Sequence, residues 1–558
     1  MTAGIPGAPA AGEYLLTTGK LTATLRDDHL HGIRINDLMA AERAYATVRG
    51  PAWQLSQSEI RDTHVEQLPG GFMAHVTAVH QIGESLMRCD LQARGTSGTL
   101  AILASFTAIT DCGSRRLGIC VILPPRLAGH TIRAVTTGKS PARLVLARQI
   151  SPKPIVSGAT AVSIQIGGQS ALCLESEDLI DIEDHRNWGD PGWKAYTPTL
   201  APAGLTSIAA GTTILRRLTL SYETAIMRSP ARSVGSGGDP VIRIGGLTRH
   251  CLPSLGTSTT GDTPDDVIRD LTSLKLGHLH IALDQKSPDH VLGAAAGEVA
   301  ALGARLTVTI TAPVHSAGWA PVADLLARHA RNLERVHILG SHGPATPDTV
   351  IAVRRAFRNA GITASAGWGS VTGLAGITRI PRDSAGLDFV SFGLTPQTHH
   401  RDADHIMRTV SVYPDMIRQA QRAARSRAVA ICPISWSRPD DTSDDPRLRA
   451  ELAAAWLLGA VTGLAGTAAM TIFTAEQIRA VAAAPVPRLL GILGRHRDER
   501  LRAITRTDHT IAALAFRNAT IIGNLSPRER RVKLHFRTGQ IQRILMSPYG
   551  IRPVASPG

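Results

Sequence analysis

From about residue 15 to 232 the chain consists of short runs in which apolar positions alternate with polar or β-branched ones. KLTATLR, GFMAHVTAVHQI, TLAILASFTAI, TAVSIQIG and TILRRLTLSYET (212–224) each put every second side chain on an apolar face, the period of a half-buried strand. Turn residues recur between the runs at short spacing, and helical periodicity is nearly absent. The pattern predicts a large antiparallel β-sandwich over 15–232, behind a flexible N-terminus at 1–14. SVGSGGDP (233–240) reads as a linker. Beyond it strands alternate with helices. PVIRIGG is the expected first strand, followed by HLHIALD (278–284), RLTVTITAP (305–313), RVHILGSHG (335–343), ITASAGWGS (362–370), LDFVSFGLTPQ (387–397), AVAICPISWS (428–437) and GTAAMTIFT (466–474). Helical stretches separate them, including an Ala-rich one at about 289–302, PVADLLARHARNL and PDTVIAVRRAFRNAG. Eight such strands over 240–495 match a (β/α)8 TIM-type barrel. A doubly wound open sheet is the alternative, although no GxGxxG turn follows the first strand. The tail at 498–558 returns to short strands (TIAALAFRN, TIIGNLS, RVKLHFR, QIQRILMS) and predicts a small C-terminal β domain. The expected fold class is α/β plus all-β: N-terminal β-sandwich, central barrel, small β domain.

Composition adds bounds to this picture. A chain of 558 residues exceeds one ordinary core, and 43% hydrophobic against 19% charged residues rules out a disordered protein. The net charge of +15 invites a nucleic-acid or anionic partner. The basic residues are nearly all Arg, however, and are scattered singly, with no Lys/Arg-rich run beyond short pieces such as RERRVK (528–533). No groove-tracking basic patch follows from that, so no nucleic-acid partner is expected. Six cysteines without a CxxC pair read as buried free thiols in a reducing compartment. The opening MTAGIPGAPAAGEYLL shows no basic-then-apolar signal pattern, and a cytoplasmic location is expected. AAAWLLGAVTGLAGTAAMTIF (453–473) is uncharged for about a span length, but its Gly and Thr and its shift from Ala/Leu to Thr/Ile/Phe predict a buried helix turning into a buried strand. No membrane association is expected, and the sequence leaves the oligomeric state open.

In a barrel the chemistry sits at the C-terminal ends of the strands. Those ends offer Asp284, His315, His342 and Trp368, then Gln397, His399, His400 and Asp402, then Trp436 and Asp440, and finally Thr474 and Glu476. Ordinary glycoside hydrolysis requires two facing carboxylates, and the ends of strands four and seven (ILGSHG, CPISWS) carry none. There is no HExxH, nor a carboxylate-backed HxH, so neither a metal nor another cofactor is expected. No GxSxG elbow supports acyl transfer to serine. The cluster PQTHHRDADH (396–405) is costly to desolvate unless used.

A second dense stretch, EDHRNWGDPGWKAY (183–196), stands in the sandwich region. IDIEDHRNWGDPGWKAYTPTL (180–200) resembles the FEMEDQRNWTDASFKTY signature of the D-apionate lactonase family. Collinear similarity extends through AYATVRGPAW (44–53), RLGICVILPP to ISPKP (116–154), DFVSFGLTPQTHHRDADHIMRTV (388–410) and IIGNLSP. The resemblance implies the same three-part architecture and hydrolysis of a branched sugar-acid lactone to the open acid. Matched polar residues are Glu183, Asp184, Arg186, Asn187, Trp188, Asp190, Lys194, Tyr196, Gln397 and His399. Two barrel-mouth carboxylates of the family pattern are replaced here, by Gly376 and Thr474, and the Asp after PQxH becomes Arg401 or Asp402.

The resemblance gives these residues working roles. Opening a lactone needs an activated water, donors for the oxyanion and a proton for the leaving alkoxide. His399 suits the base or acid role. Glu183 or Asp184 orients a histidine or acts as a second base, so His399, Glu183 and Asp184 are the catalytic candidates. Arg186 and Lys194 clamp hydroxyls or a carboxylate, and Asn187 and Gln397 supply oxyanion donors. Asp190, Tyr196, His400 and Trp368 complete the expected substrate-binding set. The reaction is expected at the sandwich/barrel junction, with a small sugar acid or lactone as the partner. The structural alternative is that one face of the 183–196 motif locks the sandwich to the barrel through an Asp–Arg pair, with Trp188 and Trp193 as packing. A binding protein without catalysis and a divergent glycosidase are the other functional alternatives.

Overall fold

The computed structural model describes residues 12–36, 38–167, 170–198, 204–224, 238–283, 289–311, 318–340, 347–370, 373–378, 387–425, 427–438, 445–478 and 484–557. The chain divides into two compact units. One comprises Met1–Arg186 with Pro191–Ser233, the other Asn187–Asp190 with Val234–Gly558.

The first unit is built on alternation. Leu21–Arg26 and Gly71–Ile82 bury every second side chain, and antiparallel pairing of such strands yields one 15-stranded sheet. Its main path begins with Glu13–Thr18, Leu21–Arg26, His29–Ile35 and Leu38–Arg49, passes through Arg116–Leu123, Trp193–Thr197 and Ser170–Asp184, and ends at Gly71–Ile82 and Gln57–Leu68. The sheet folds over one apolar cluster to which both of its ends contribute, for example Leu16 and Phe72. The hydroxyl of Thr18 donates to the Gly70 carbonyl at 2.7 Å, and the Gln67 amide donates to the Thr17 carbonyl at 2.8 Å. These bonds bring the two ends of the path together, and the result is the expected sandwich.

The second unit contains a closed barrel of eight parallel strands: Ser254–Thr259, His278–Leu283, Arg305–Thr311, Leu333–Leu339, Ser365–Ser370, Phe389–Leu394, Ala428–Ile434 and Ala469–Thr474. Period-two patterning separates two environments. Leu279, Ile281, Leu306, Val308, Val336 and Ile338 pack with helix residues such as Leu292, Ala323 and Phe357 in the outer apolar cluster. The residues between them are His280, Thr307, Thr309 and His337, so the interior of the barrel is polar.

One strand differs from expectation. PVIRIGG lies in the strand Val241–Cys251, which pairs with Arg500–Arg506 and Arg530–His535 in a terminal four-stranded sheet. The barrel's first strand is instead Ser254–Thr259. Its sequence SLGTST lacks the apolar run that marks a strand; its polar positions belong to the barrel interior. A three-stranded sheet, Ile511–Ala515, Ala519–Asn524 and Ile551–Ala555, completes the tail. The uncharged stretch near 453–473 forms the buried helix Glu451–Gly463 and the strand Ala469–Thr474, and no helix among the described residues is long and apolar enough to cross a membrane. All six cysteines are free, but Cys251 is exposed, where buried thiols were expected. It ends the strand Val241–Cys251, which lies in the terminal sheet and not in the barrel.

Candidate active site

The EDHRNWGDPGWKAY motif is a hairpin. The strand Ser170–Asp184 runs into a 3-10 turn at His185–Trp188 and returns as Trp193–Thr197, with Glu183 opposite Lys194 and Asp184 opposite Trp193. Two glycines at positive φ shape its tip, Gly189 at 88° and Gly192 at 91°. A Cβ on Gly192 would sit 2.2 Å from the Leu123 carbonyl oxygen, so the chain can pass there only as glycine.

The hairpin's arms belong to the first unit and its tip, Asn187–Asp190, to the second. In the arms the candidates are committed to structure. The Asp184 carboxylate accepts from Arg186 Nε at 2.8 Å and Nη2 at 2.7 Å, and from the Ser151 amide at 2.8 Å. Arg186 also donates to the carbonyls of Arg148 and Ala147 and lies over the Trp193 ring, 4.6 Å from its centroid. The expected Asp–Arg pair therefore forms, and it holds the 147–151 segment of its own unit. Glu183 lies 3.6 Å from His185 Nε2. Burial pushes the Glu183 carboxyl up, but the His185 hydrogen bond and charge, with the charge of Arg116, outweigh it and hold the carboxyl below its ordinary value. Lys194 is buried near Tyr45, and the Arg116 guanidinium stacks 3.6 Å from the centroid of the Tyr196 ring. Burial, the largest influence, raises the Tyr196 phenol far above its usual range.

At the tip, Asp190 is buried and bonded to two histidines of the barrel unit. One carboxylate oxygen meets His399 Nδ1, and the other meets His405 Nε2 at 2.8 Å. Asp402 caps the helix Ala403–Thr409 by accepting from the His405 amide at 3.0 Å, which sets the helix start and with it the His405 side chain. His400 packs its ring 4.6 Å from that of His405. Trp188 meets His399 edge-on at 6.3 Å between centroids, and the Thr398 hydroxyl donates to the Trp188 carbonyl at 3.3 Å.

Trp188 and Thr398 in turn line a cavity of about 520 Å³ at the C-terminal end of the barrel, a size suited to a small metabolite. Asn187 lines it too, as do Ser258, Thr309, Ser370 and Ser391, with His280 and His337 from the barrel interior. Arg438 is the only charged residue among the described ones that line the cavity. His280 is bonded at both ring nitrogens, Nδ1 to Ser258 Oγ at 3.1 Å and Nε2 to Thr309 Oγ1 at 2.7 Å. His337 Nδ1 bonds to Ser391 Oγ at 2.7 Å. Burial pushes the His280 imidazole down to about 4, and burial with the nearby histidines pushes His337 well below its ordinary value, so both are neutral at pH 7. Burial likewise pushes the Cys432 thiol up to about 12, so this cavity-lining sulfur is not a thiolate nucleophile.

Two candidates sit elsewhere than expected. Gln397 is buried and its amide is fully engaged: Nε2 donates to the Trp436 carbonyl and to Asp445, and Oε1 accepts from Arg447. Burial alone would raise the Asp445 carboxyl, but bonds from Arg447 and Trp436 hold it far below the usual carboxylate range. Gln397 thus pins the loop after strand six and is no oxyanion donor. Trp368 belongs to the outer apolar cluster, in register with Ile338, and does not line the cavity. Its alternation was the missed signal, since Gly367 lies in register with the inward His337. Gly376 lies in the short helix Gly373–Ile377, and Thr474 is exposed, its hydroxyl accepting from the Gln477 amide. Asp284, His315, His342 and Asp440 lie outside the described residues. His280, His337, His405 and Asp445 were not among the candidates. HLH in an apolar strand was the available signal for an inward histidine pair, and Asp-Pro before RLR was the signal for the capping Asp445.

The D-apionate lactonase N-terminal domain model matches residues 6–225, and the D-apionate lactonase TIM barrel domain model matches residues 256–515. The chain belongs to the D-apionate lactonase family. A D-apionate lactonase from Brucella anthropi is 24% identical over 454 residues, 75% of this chain and 72% of that one. Among solved structures, a glucosidase from Croceicoccus marinus aligns with a TM-score of 0.38 at 12% identity, over 56% of this chain and 84% of that one. A GH5-4 endoglucanase from an uncultured bacterium gives 0.33 at 10% identity, over 44% and 94%. Likenesses this low carry no argument about chemistry. At family level the chain is a lactonase-like hydrolase, and the Asn187–Asp190 tip with the PQTHH loop is where the family signature meets the barrel unit's histidines.

Proposed function

We propose that this D-apionate lactonase family member opens a sugar-acid lactone to the free acid, with His399 as general base and then general acid. The observation that carries the reading is the Asp190–His399 bond, which joins two motifs 209 residues apart next to Trp188 and Thr398 of the cavity lining. Asp190 accepts the Nδ1 proton of His399, so Nε2 holds the lone pair that takes a proton from water. The resulting hydroxide adds to the lactone carbonyl. The oxyanion draws on the Asn187 amide and the Arg438 guanidinium, both cavity-lining. The ring C–O bond then breaks, and the imidazolium returns its proton to the departing alkoxide. The net change is one water consumed and one hydroxy acid formed. A two-carboxylate glycosidase is not supported, since no Asp or Glu occurs among the described residues lining the cavity.

The test is a continuous acid-release assay on a panel of four- to six-carbon aldonolactones, corrected for spontaneous opening. Wild type should hydrolyse at least one member, and His399→Ala should lower kcat by about 10²–10⁴-fold. Full activity in the variant removes His399 from the mechanism. No hydrolysis by wild type overturns the reading in favour of a binding protein.

A further inference from the structure

The barrel interior holds a polar group that the proposed hydrolysis leaves unused. His337 is 2% exposed, and its Nδ1 is fixed to Ser391 Oγ at 2.7 Å. Its ring meets Phe389 edge-on at 4.9 Å and stands 6.1 Å from the His280 ring. These contacts hold the imidazole in one orientation. Nε2 has no hydrogen-bond partner among the described residues, although the residue lines the cavity. His280 differs, because hydroxyls of the fold take up both of its nitrogens. A ring nitrogen that faces a cavity without a protein partner is positioned to bond a ligand or water there. Around it the cavity presents the hydroxyls of Ser258, Thr309 and Ser391 and no carboxylate among the described residues. Apart from Arg438 these are neutral donors and acceptors, which suit hydroxyl groups better than ions.

We propose that His337 is a specificity-determining residue whose Nε2 binds a hydroxyl of an uncharged polyhydroxylated ring seated inside the barrel. This rests on the lactone-hydrolase reading for the nature of the ring, and the atoms that react are those near His399. Because burial keeps the His337 imidazole neutral, it can bind a hydroxyl across the physiological range without exchanging a proton with solvent. A site built to bind a hydroxyl discriminates strongly against the analogue that lacks it.

The experiment pairs ring hydroxyls with the residue. Erythrono- and ribono-1,4-lactone are compared with γ-butyrolactone, the same ring without hydroxyls, in wild type, His337→Phe and Ser391→Ala. His337→Phe should raise KM for the hydroxylated lactones by about ten-fold while KM for γ-butyrolactone changes little. Ser391→Ala, which leaves the imidazole in place but unanchored, should give a smaller loss of the same selectivity and stands in if His337→Phe does not fold. An equal loss for both kinds of ring, or none, overturns the proposal. Calorimetric titration of 1,4-anhydroerythritol and 1,4-anhydroribitol, uncharged hydroxylated rings without a lactone carbonyl, separates this from failure of the hydrolase reading. If wild type binds them, His337→Phe weakens that binding and no lactone is hydrolysed, then the catalytic reading fails and the His337 assignment stands. If wild type binds none of the lactones or anhydro sugars, the assignment is overturned.

Discussion

Two groups of histidines in the barrel unit differ in what bonds their ring nitrogens. His278, His280 and His337 point into the barrel from its strands and are bonded by hydroxyls: His278 by Ser254 and Thr471, His280 by Ser258 and Thr309, His337 by Ser391. His399 and His405 come from the loop and helix after strand six and share one carboxylate, Asp190. A hydroxyl can donate or accept, so it suits a neutral imidazole of either tautomer but offers no charge to stabilise an imidazolium. A carboxylate fixes one ring N–H and stabilises the cation formed when the other nitrogen takes a proton. The strand histidines are therefore suited to hydrogen bonding, and His399 to moving a proton.

Removing the carboxylate charge is the sharpest way to break this contrast. Asp190→Asn keeps the shape but can present its NH₂ to His399, which reverses the tautomer and points Nε2–H at the water. Hydrolysis should fall by about 10²–10⁴-fold in kcat with KM little changed. A loss confined to KM would place Asp190 in binding instead. Asp184, six residues earlier, provides the comparison with a carboxylate bonded to arginine. Asp184→Ala leaves the buried Arg186 guanidinium without its anion and should cost about 3–5 kcal/mol in urea unfolding of the sandwich. The folded fraction should retain its kcat, because Asp184 belongs to the first unit and bonds Arg186 and the Ser151 amide there. A kcat collapse in fully folded Asp184→Ala would erase the distinction between the two aspartates.

The sequence made the strand periods legible, and with them both large folds, because alternation follows directly from which side of a sheet faces the core. Ser254–Thr259 escaped because a barrel strand whose polar side chains face inward carries little apolar signal. Trp368 stands near a strand end, where chemistry is expected, but the alternation of its strand turns it outward. The two motifs of the site were visible as dense polar text. Their pairing was not, because the Asp190–His399 bond spans 209 residues and no local pattern encodes it. Gln397 illustrates the converse: its residue type suited an oxyanion donor, but only the positions of Trp436, Asp445 and Arg447 show that its amide is already engaged.

The strand histidines also make the barrel sensitive to acid. In the unfolded chain each titrates near its ordinary value of about 6.5. In the fold, burial pushes His278 down to about 3 and His280 down to about 4, and His337 well below its ordinary value. Between these limits the unfolded state binds more protons, so stability rises with pH there and is lost on acidification below about 6.5. Above that value these groups contribute no pH dependence. Each can contribute at most about 1.4 kcal/mol per pH unit, and the window from pH 6 to 5 lies above the range in which most carboxylates titrate. Hydrogen exchange of peptides spanning His278–Leu283 should therefore accelerate from pH 7 to 5, after correction for the intrinsic rate. His280→Gln should flatten that acceleration by roughly one proton's share, since a neutral amide in the same hydroxyl pair has nothing to titrate. An unchanged slope in the variant would mean that His280 is not held neutral by the barrel, and the hydroxyl-bonded group would then no longer differ from the carboxylate-bonded one in the property that separates them.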